Sequence, residues 1–119
     1  MHGIAVVNGT TGLRLALMAL DIQAGDEVIV PPFTFVATVE AVMFAGAVPV
    51  FVDIDPDTYN ISPKETKKAV EALSAKDRKK LKAIIPVHLY GQCADMAPIL
   101  EIAAAYDLMV IEDAAQAIG

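Results

Sequence analysis

Two adjacent carboxylates, Glu112 and Asp113, directly follow the apolar run Leu108–Ile111 and are the most pointed chemical feature of the sequence. An acid at the end of a hydrophobic strand is costly to bury unless a cation or a hydrogen-bond donor meets it. Successive strand residues face opposite ways, so only one of the two carboxylates can point into a given pocket. The pair predicts an acidic contact for a ligand, although one acid at a strand end is also common in α/β proteins.

A second segment, Asn8–Gly12, follows the apolar run Ile4–Val7 and opens a helix. Glycine lets the backbone approach an anion closely, and the free N–H groups at a helix start favour phosphate. The hydroxyls of Thr10 and Thr11 add two donors. The segment matches neither G-x-G-x-x-G nor a P-loop, so an ordinary helix start with a threonine cap is an equal alternative.

Two further segments carry an aromatic pair and a histidine. Phe33 and Phe35 follow the apolar run Glu27–Val30, where an aromatic ring can stack on a flat ligand, but the residues alone favour both as core. His88 follows another apolar run and could be a base or a metal ligand. Because no second histidine or Cys-x-x-Cys lies nearby, we expect no metal site and favour a loop histidine with a satisfied hydrogen bond.

Apolar runs alternate with helical periodicities along the whole chain, which predicts a three-layer α-β-α domain with a mostly parallel sheet. The runs are apolar throughout, as expected when helices cover both faces, and ligands of such sheets bind at the carboxyl ends of the strands. We expect caps at Gly46, Ser62 and Asp95. The predicted strands are Ile4–Val7, Glu27–Val30, Val48–Val52, Ala83–Val87 and Leu108–Ile111, and the predicted helices span about 11–20, 34–44, 63–73 and 95–106.

Composition limits the classes of protein that this sequence can encode. With 119 residues, 55% of them hydrophobic, the chain is at most one domain and is not disordered. No apolar run is long enough to cross a membrane, and the start does not resemble a secretory signal. The single cysteine, Cys93, excludes an internal disulfide and fits a reducing compartment, which predicts a cytoplasmic protein.

The charge is unevenly distributed. Nine basic and fifteen acidic residues give a formal net charge of −6, which argues against general affinity for nucleic acid. Eight of the nine basic residues lie between Lys64 and Lys82, where Glu65, Glu71 and Asp77 interleave with them. We interpret this stretch as a solvated helix face and a surface connection; the alternative is a patch for nucleic acid or a membrane.

Taken together, the motifs resemble the DegT/DnrJ/EryC1/StrS family of sugar aminotransferases, which use pyridoxal 5′-phosphate (PLP) on a fold-type I scaffold. The resemblance covers nearly the whole chain in order. The matching stretches are Asn8–Thr11, Ala24–Pro31, Phe33–Thr38, Gly46–Asp53, Ile84–Gly91 and Ile111–Ala117. It implies a PLP-dependent aminotransferase of nucleotide-linked keto-sugars, working in amino-sugar and polysaccharide biosynthesis, with glutamate as amino donor and a homodimeric assembly.

The resemblance also implies roles for five residues. Thr10 and Thr11 match the position that holds the cofactor phosphate, and Phe35 matches the aromatic that stacks on the pyridine ring. Asp113 matches the catalytic carboxylate paired with the pyridine nitrogen. Gln116 matches the residue near the phenolic oxygen of the ring. A carboxylate beside the pyridine nitrogen keeps the ring able to accept electrons, and the pairing relieves the cost of burying Asp113.

One departure from the family limits what we expect of this chain. The family binds its cofactor as a Schiff base on a lysine that follows the stretch matched by Asp113–Gln116, and this sequence ends at Gly119, before that segment. All seven lysines lie between Lys64 and Lys82 and none matches the motif. We therefore expect residues 1–119 to be a partial PLP-binding large domain. The N-terminal segment, the lysine region and the C-terminal domain would be absent.

Such a chain is expected to be inactive alone and to associate through exposed edges and apolar faces. Three alternatives stay open: a sugar dehydratase of the same family, a non-catalytic PLP- or phosphate-binding module, and a generic nucleotide-binding α/β domain.

Overall fold

A computed structural model describes residues 2–117 and contains one four-stranded sheet in which every pair of neighbouring strands is parallel. The strand order is β2-β1-β3-β4. The first two strands pair in full register from Glu27 opposite Val48 to Val30 opposite Phe51. The strands are β1 (Glu27–Val30), β2 (Val48–Phe51), β3 (Leu81–Ile84) and β4 (Met109–Val110).

Helices cover both faces of this sheet, which confirms the predicted three-layer α-β-α architecture. On one face, Leu17 and Val42 pack against Val28 and Val30 of β1 in a shared apolar cluster. On the other face, a second cluster joins Ile29 of β1 to residues of α3 and α5. The helices are α1 (Gly9–Ala19), α2 (Ala37–Phe44), α3 (Pro63–Ala72), the short α4 (Ala75–Arg78) and α5 (Met96–Tyr106).

Two of the three predicted helix caps are present. The Ser62 hydroxyl accepts a hydrogen bond from the backbone N–H of Glu65 at 3.3 Å, next to Pro63 at the first helical position. Gly46 follows α2 with a φ of +76°, which an L side chain rarely adopts. The prediction for Asp95 is wrong, because its side chain makes no capping hydrogen bond to α5.

The predicted strand Ile4–Val7 is wrong. These residues form no strand, and the side chains of Ile4 and Val7 are 85% and 84% exposed. A strand needs a neighbour for its backbone hydrogen bonds, and no part of residues 2–117 pairs with this segment. Apolar composition alone therefore predicted five strands, one more than the sheet of the described residues contains.

Other boundaries shift by a few residues. The strand β3 starts at Leu81 and ends at Ile84, earlier than the predicted Ala83–Val87. It changes register against β1 between Glu27 and Val28. Helix α2 starts at Ala37, three residues after the predicted Thr34. The short helix α4 lies within the stretch that we interpreted as a surface connection.

The basic stretch is a solvent-exposed surface with interleaved ion pairs, in agreement with its interpretation as a solvated face. Lys68 pairs with Glu65 at 3.2 Å and Lys80 with Asp77 at 3.0 Å, while Lys67 lies 3.9 Å from Glu71. Exposed pairs of this kind add little stability. Within the described part of the chain, no helix is long and apolar enough to cross a membrane.

Candidate functional site

A cavity of about 320 Å³ lies where α1 begins, beside the carboxyl edge of the sheet. It brings together four of the five candidate residues, Thr10, Phe35, Asp113 and Gln116, from three separate segments of the chain. Thr11, the fifth, does not line it. The remaining lining residues are small or apolar: Gly9, Leu13, Ala37 and Ala115.

Asp113 is buried and its carboxylate is held from two sides. The Thr38 hydroxyl donates to Oδ2 at 2.7 Å, and the backbone N–H of Ala115 donates to Oδ1 at 3.2 Å. The Asp113 backbone extends the sheet through a parallel bridge to Val87. A buried carboxylate with two fixed donors and one face on a cavity is oriented to meet a cationic group of a ligand.

Thr38 is a contributor that sequence reasoning missed. It is fully buried on α2, and its hydroxyl also lies 3.0 Å from the hydroxyl of Thr34. The available signal was a pair of threonines four positions apart at the start of a helix, a spacing that puts both on one face. Thr38 binds Asp113, which is 75 positions away, and nothing local identifies this partner.

The two adjacent carboxylates point to different partners, as the alternation rule predicts. Glu112 is exposed and its Oε2 lies 2.8 Å from Nε2 of buried His88, whereas Asp113 faces Thr38. The Nδ1 atom of His88 accepts the backbone N–H of Ala94 at 3.1 Å, so Nε2 carries the ring proton and donates to Glu112. His88 is therefore a loop histidine with satisfied hydrogen bonds, and the favoured interpretation is confirmed.

The preference for Phe33 and Phe35 as core residues is wrong. The two side chains are 45% and 67% exposed. Phe35 forms part of the cavity wall, and Phe33 packs against Tyr59 with ring centroids 5.7 Å apart. The segment turns across the end of β1 before α2 starts, so its aromatic side chains lie at the sheet edge instead of between layers.

Gln116 is fixed by the backbone of a neighbouring turn. The N–H of Tyr90 donates to its Oε1 at 2.9 Å. Tyr90 belongs to the 3₁₀ turn Leu89–Gly91 and has left-handed backbone angles, φ 53° and ψ 27°. Since a backbone N–H can only donate, the Gln116 atom it meets is the oxygen, and the amide nitrogen of Gln116 is left as a donor.

The start of α1 offers free backbone donors. Asn8 caps this helix, because its Oδ1 accepts the N–H of Thr11 at 2.8 Å. The threonine cap, which was the alternative to an anion site, is therefore wrong. Within residues 2–117, no acceptor meets the backbone N–H of Gly9 or Thr10. A Cβ added at Gly9 would lie 3.5 Å from the Cβ of Ala115, so the helix start approaches the Asp113 segment closely.

The cavity thus combines anion-binding donors, an exposed aromatic ring and a buried carboxylate. Its lining, among the residues described, includes no lysine or arginine. The same described residues hold no cluster of histidine, cysteine and acidic side chains able to bind a metal ion. An arrangement of this kind suits a flat, polar ring that carries an anionic group at one end and a cationic atom at the other.

Comparisons with known proteins find similarity along the whole chain. The model of the DegT/DnrJ/EryC1/StrS aminotransferase family matches residues 1–119. The GDP-perosamine synthase of Caulobacter vibrioides is 52% identical over 118 residues, which are 99% of this chain and 30% of that protein. The UDP-2-acetamido-2-deoxy-3-oxo-D-glucuronate aminotransferase of Pseudomonas aeruginosa is 53% identical over 116 residues, 98% of this chain and 30% of that one.

A solved structure gives the same result in three dimensions. The crystal structure of NtdA from Bacillus subtilis with bound cofactor PMP superposes with a TM-score of 0.84 and 46% identity. It covers 93% of this chain and 24% of the NtdA chain. The chain therefore spans about 30% of the length of the curated relatives described above.

Proposed function

Since the chain belongs to the DegT/DnrJ/EryC1/StrS aminotransferase family, we propose that it is the cofactor-binding part of a PLP-dependent aminotransferase of nucleotide-linked keto-sugars. The observation that carries this proposal is the single cavity where Thr10, Phe35, Asp113 and Gln116 meet. The relatives act on nucleotide-linked sugars by name, which supports the substrate class. Residues 1–119 would be part of the large domain of the complete enzyme.

The residues present fit PLP. The Asp113 carboxylate is buried with only neutral donors around it, so a protonated pyridine nitrogen would supply the missing cation. The free N–H groups of Gly9 and Thr10 at the start of α1 suit a phosphate dianion. When bound, PLP supplies an electron sink through which an amino group passes between an amino acid and a keto-sugar.

The candidate residues would each bind a different part of PLP. The Thr10 hydroxyl and amide, with the Thr11 hydroxyl beside them, would bind the phosphate. The exposed ring of Phe35 would fix the ring plane by stacking. The amide nitrogen of Gln116 would donate to the phenolic oxygen, because Tyr90 already occupies the oxygen of that side chain.

Asp113 would keep a proton on the pyridine nitrogen, which is the role on which the reaction depends most. Thr38 and Ala115 donate to its two oxygens, so its orientation is set before any ligand enters. Preorganised groups of this kind need no reorganisation when charge develops during the reaction. Thr38 is a positioning residue, since it reaches the cavity only through Asp113.

The nucleophilic lysine of the reaction would come from outside residues 1–119. The seven lysines of the chain lie on α3, α4, β3 and the segments that flank them, and none lines the cavity. We therefore propose that this chain binds PLP without capturing it covalently. A homodimer with glutamate as amino donor and a cytoplasmic location complete the proposal; the family resemblance supports them.

A titration of the purified chain with PLP, followed by absorbance and by borohydride trapping, tests the proposal. We expect saturable binding without a trapped lysine adduct. Asp113→Ala should abolish that binding, whereas Glu112→Ala, the neighbouring acid that faces His88 instead of the cavity, should leave it intact. A specific adduct on one lysine, or equal losses in the two variants, would contradict the proposed site.

A further inference from the structure

Asn60, which lies outside the cavity, makes a double contact with the turn that holds Gln116. Its side chain is only 3% exposed. The Oδ1 atom accepts the backbone N–H of Leu89 at 3.1 Å, and Nδ2 donates to the backbone oxygen of Gln92 at 3.0 Å. One amide therefore spans both ends of the 3₁₀ turn, from a loop nearly thirty positions earlier in the sequence.

The turn needs such support because its backbone is strained. Tyr90 has a φ of 53°, and a left-handed conformation is unfavourable for a residue with a side chain. Its ring is exposed and makes no compensating core contact. A strained residue persists where the surrounding structure over-determines it. The bonds of Asn60 on either side of Tyr90 provide that constraint.

The loop that presents Asn60 is itself closed by local hydrogen bonds. The backbone N–H of Asp55 donates to the oxygen of Asn60 at 2.8 Å, and Ile54 forms an antiparallel bridge with Ile61. The N–H of Ser62 donates to the oxygen of Asp53 at 3.0 Å, directly before α3 begins. Asn60 is therefore held on a rigid support and can act as a fixed anchor.

We propose that Asn60 is a positioning residue for the cofactor site: it locks the Leu89–Gly91 turn, and the Tyr90 N–H then fixes which end of the Gln116 amide faces the cavity. The cofactor role of Gln116 rests on the proposed function, but the mechanical coupling from Asn60 to Gln116 does not. Loss of Asn60 would let Tyr90 relax, release the Gln116 oxygen and leave its amide free to rotate.

Amide hydrogen exchange and side-chain NMR on the ¹⁵N-labelled chain, without cofactor, test this coupling. In Asn60→Ala we expect the Leu89 and Tyr90 amides to exchange about tenfold faster relative to the amides of β1. The side-chain amide group of Gln116 should rotate more freely as a whole, which NMR detects as increased motion of its ¹⁵N–H₂ group. In Gln116→Ala, the Tyr90 amide should lose protection because its acceptor is removed. The Leu89 amide should keep its protection because Asn60 still accepts its hydrogen bond.

The matched control is Thr66→Ala, which removes a buried hydrogen bond to Ser62 near the same loop without touching the turn. Equal loosening of Tyr90 in this control, or an unchanged Gln116 amide in Asn60→Ala, would overturn the proposal. If Asn60→Ala does not fold, Asn60→Asp keeps the acceptor for Leu89 and loses the donor to Gln92. Faster exchange at Tyr90 is then expected, and parental exchange would refute the coupling. Since no cofactor is present, this outcome is independent of whether PLP binds.

Discussion

At the scale of single residues, the orientation of the Asp113 carboxylate depends on a donor that lies behind the candidate site. The hydroxyl of Thr38 meets Asp113 at 2.7 Å, and the hydroxyl of Thr34 continues the row at 3.0 Å from Thr38. A hydrogen bond from a hydroxyl to an ionised carboxylate is stronger than a hydrogen bond between two neutral groups. The second threonine is half-buried and reaches Asp113 only through the first.

Thr38→Val should therefore destabilise the chain by about 1.5–3 kcal/mol, because it keeps the shape of the side chain and leaves the carboxylate with one donor fewer. Urea denaturation followed by circular dichroism measures this change. Thr34→Val is the control and should cost less than about 1 kcal/mol, since water can replace its bond. A larger loss of stability in Thr34→Val than in Thr38→Val would show that Thr34 does not act on Asp113 through Thr38.

At the scale of elements, the end of α2 depends on a glycine with two separate reasons to be there. Gly46 has a φ of +76°, and a Cβ added to it would lie 3.2 Å from the Cβ and 3.3 Å from the Cα of Ala24. Gly25 has a φ of +89° but open space around it. Backbone strain applies to both positions, whereas steric crowding against the chain applies only to Gly46.

The two glycines make a quantitative comparison possible. Gly46→Ala should lose about 2 kcal/mol or more, and Gly25→Ala about 1 kcal/mol, from the left-handed penalty alone. Gly3→Ala, where a Cβ would meet nothing within 4 Å, should be neutral. Thermal unfolding of the three variants gives the ranking. Equal losses of stability at Gly46 and Gly25 would mean that Ala24 moves aside without an energetic cost.

The short helix α4 carries a titratable pair. The Ser74 hydroxyl donates to the Asp77 carboxylate at 2.7 Å and the Lys80 ammonium lies 3.0 Å from it, so the pKa of Asp77 is held below its ordinary value of 3.8. The hydrogen bond from Ser74 is the largest single cause, and Lys80 acts both through a hydrogen bond and through its charge. A lowered carboxyl pKa adds stability above that ordinary value, and the contribution disappears as the pH falls through the lowered pKa.

We expect both Ser74→Ala and Lys80→Met to raise the pKa of Asp77 towards its ordinary value, because each removes a group that stabilises the carboxylate. Carboxyl ¹³C shifts of Asp77, followed by NMR from pH 6 downwards to about pH 2, give both values. An unchanged pKa in either variant would show that the residue replaced there does not act on this carboxylate.

The elements also show how far a sequence can be interpreted. Periodicity and caps located the four longer helices and all four strands of the sheet, with boundaries shifted by a few residues, because those signals are local, as at Ser62 and Gly46. The segment Ile4–Val7 failed because apolar composition does not say whether a partner strand exists. The site was predictable at Thr10, Phe35, Asp113 and Gln116 only through motifs, whereas Thr38 and Asn60 depend on contacts between distant segments, which no local pattern encodes.

At the scale of the whole molecule, exposed apolar surface and an open sheet edge favour association. In the described residues β2 pairs only with β1, and its Val48 and Phe51 side chains are exposed. An edge strand with apolar side chains is a template for pairing with another chain. We therefore expect the isolated chain to form dimers or larger species and to bind a dye for exposed hydrophobic surface.

Phe51→Lys should shift sedimentation towards the monomer, because a lysine on an edge strand opposes strand pairing. Leu100→Lys is a matched control, since Leu100 is an exposed apolar residue that lies on helix α5 and not on β2. Analytical ultracentrifugation distinguishes the species. A monomeric parent chain without dye binding would contradict this expectation, and equal effects of the two lysines would exclude the β2 edge as the contact.

The order of the sheet also has a consequence for biosynthesis. Thr38 is made 75 residues before Asp113, which at about 5–20 residues per second is a delay of roughly 4–15 s during translation. Over much of that interval β1, one of the two inner strands, has only β2 beside it, because β3 has not yet been translated. Asp113 and Gln116, which line the cavity, are translated after β4, so a ligand of the cavity cannot guide the early folding of the nascent chain.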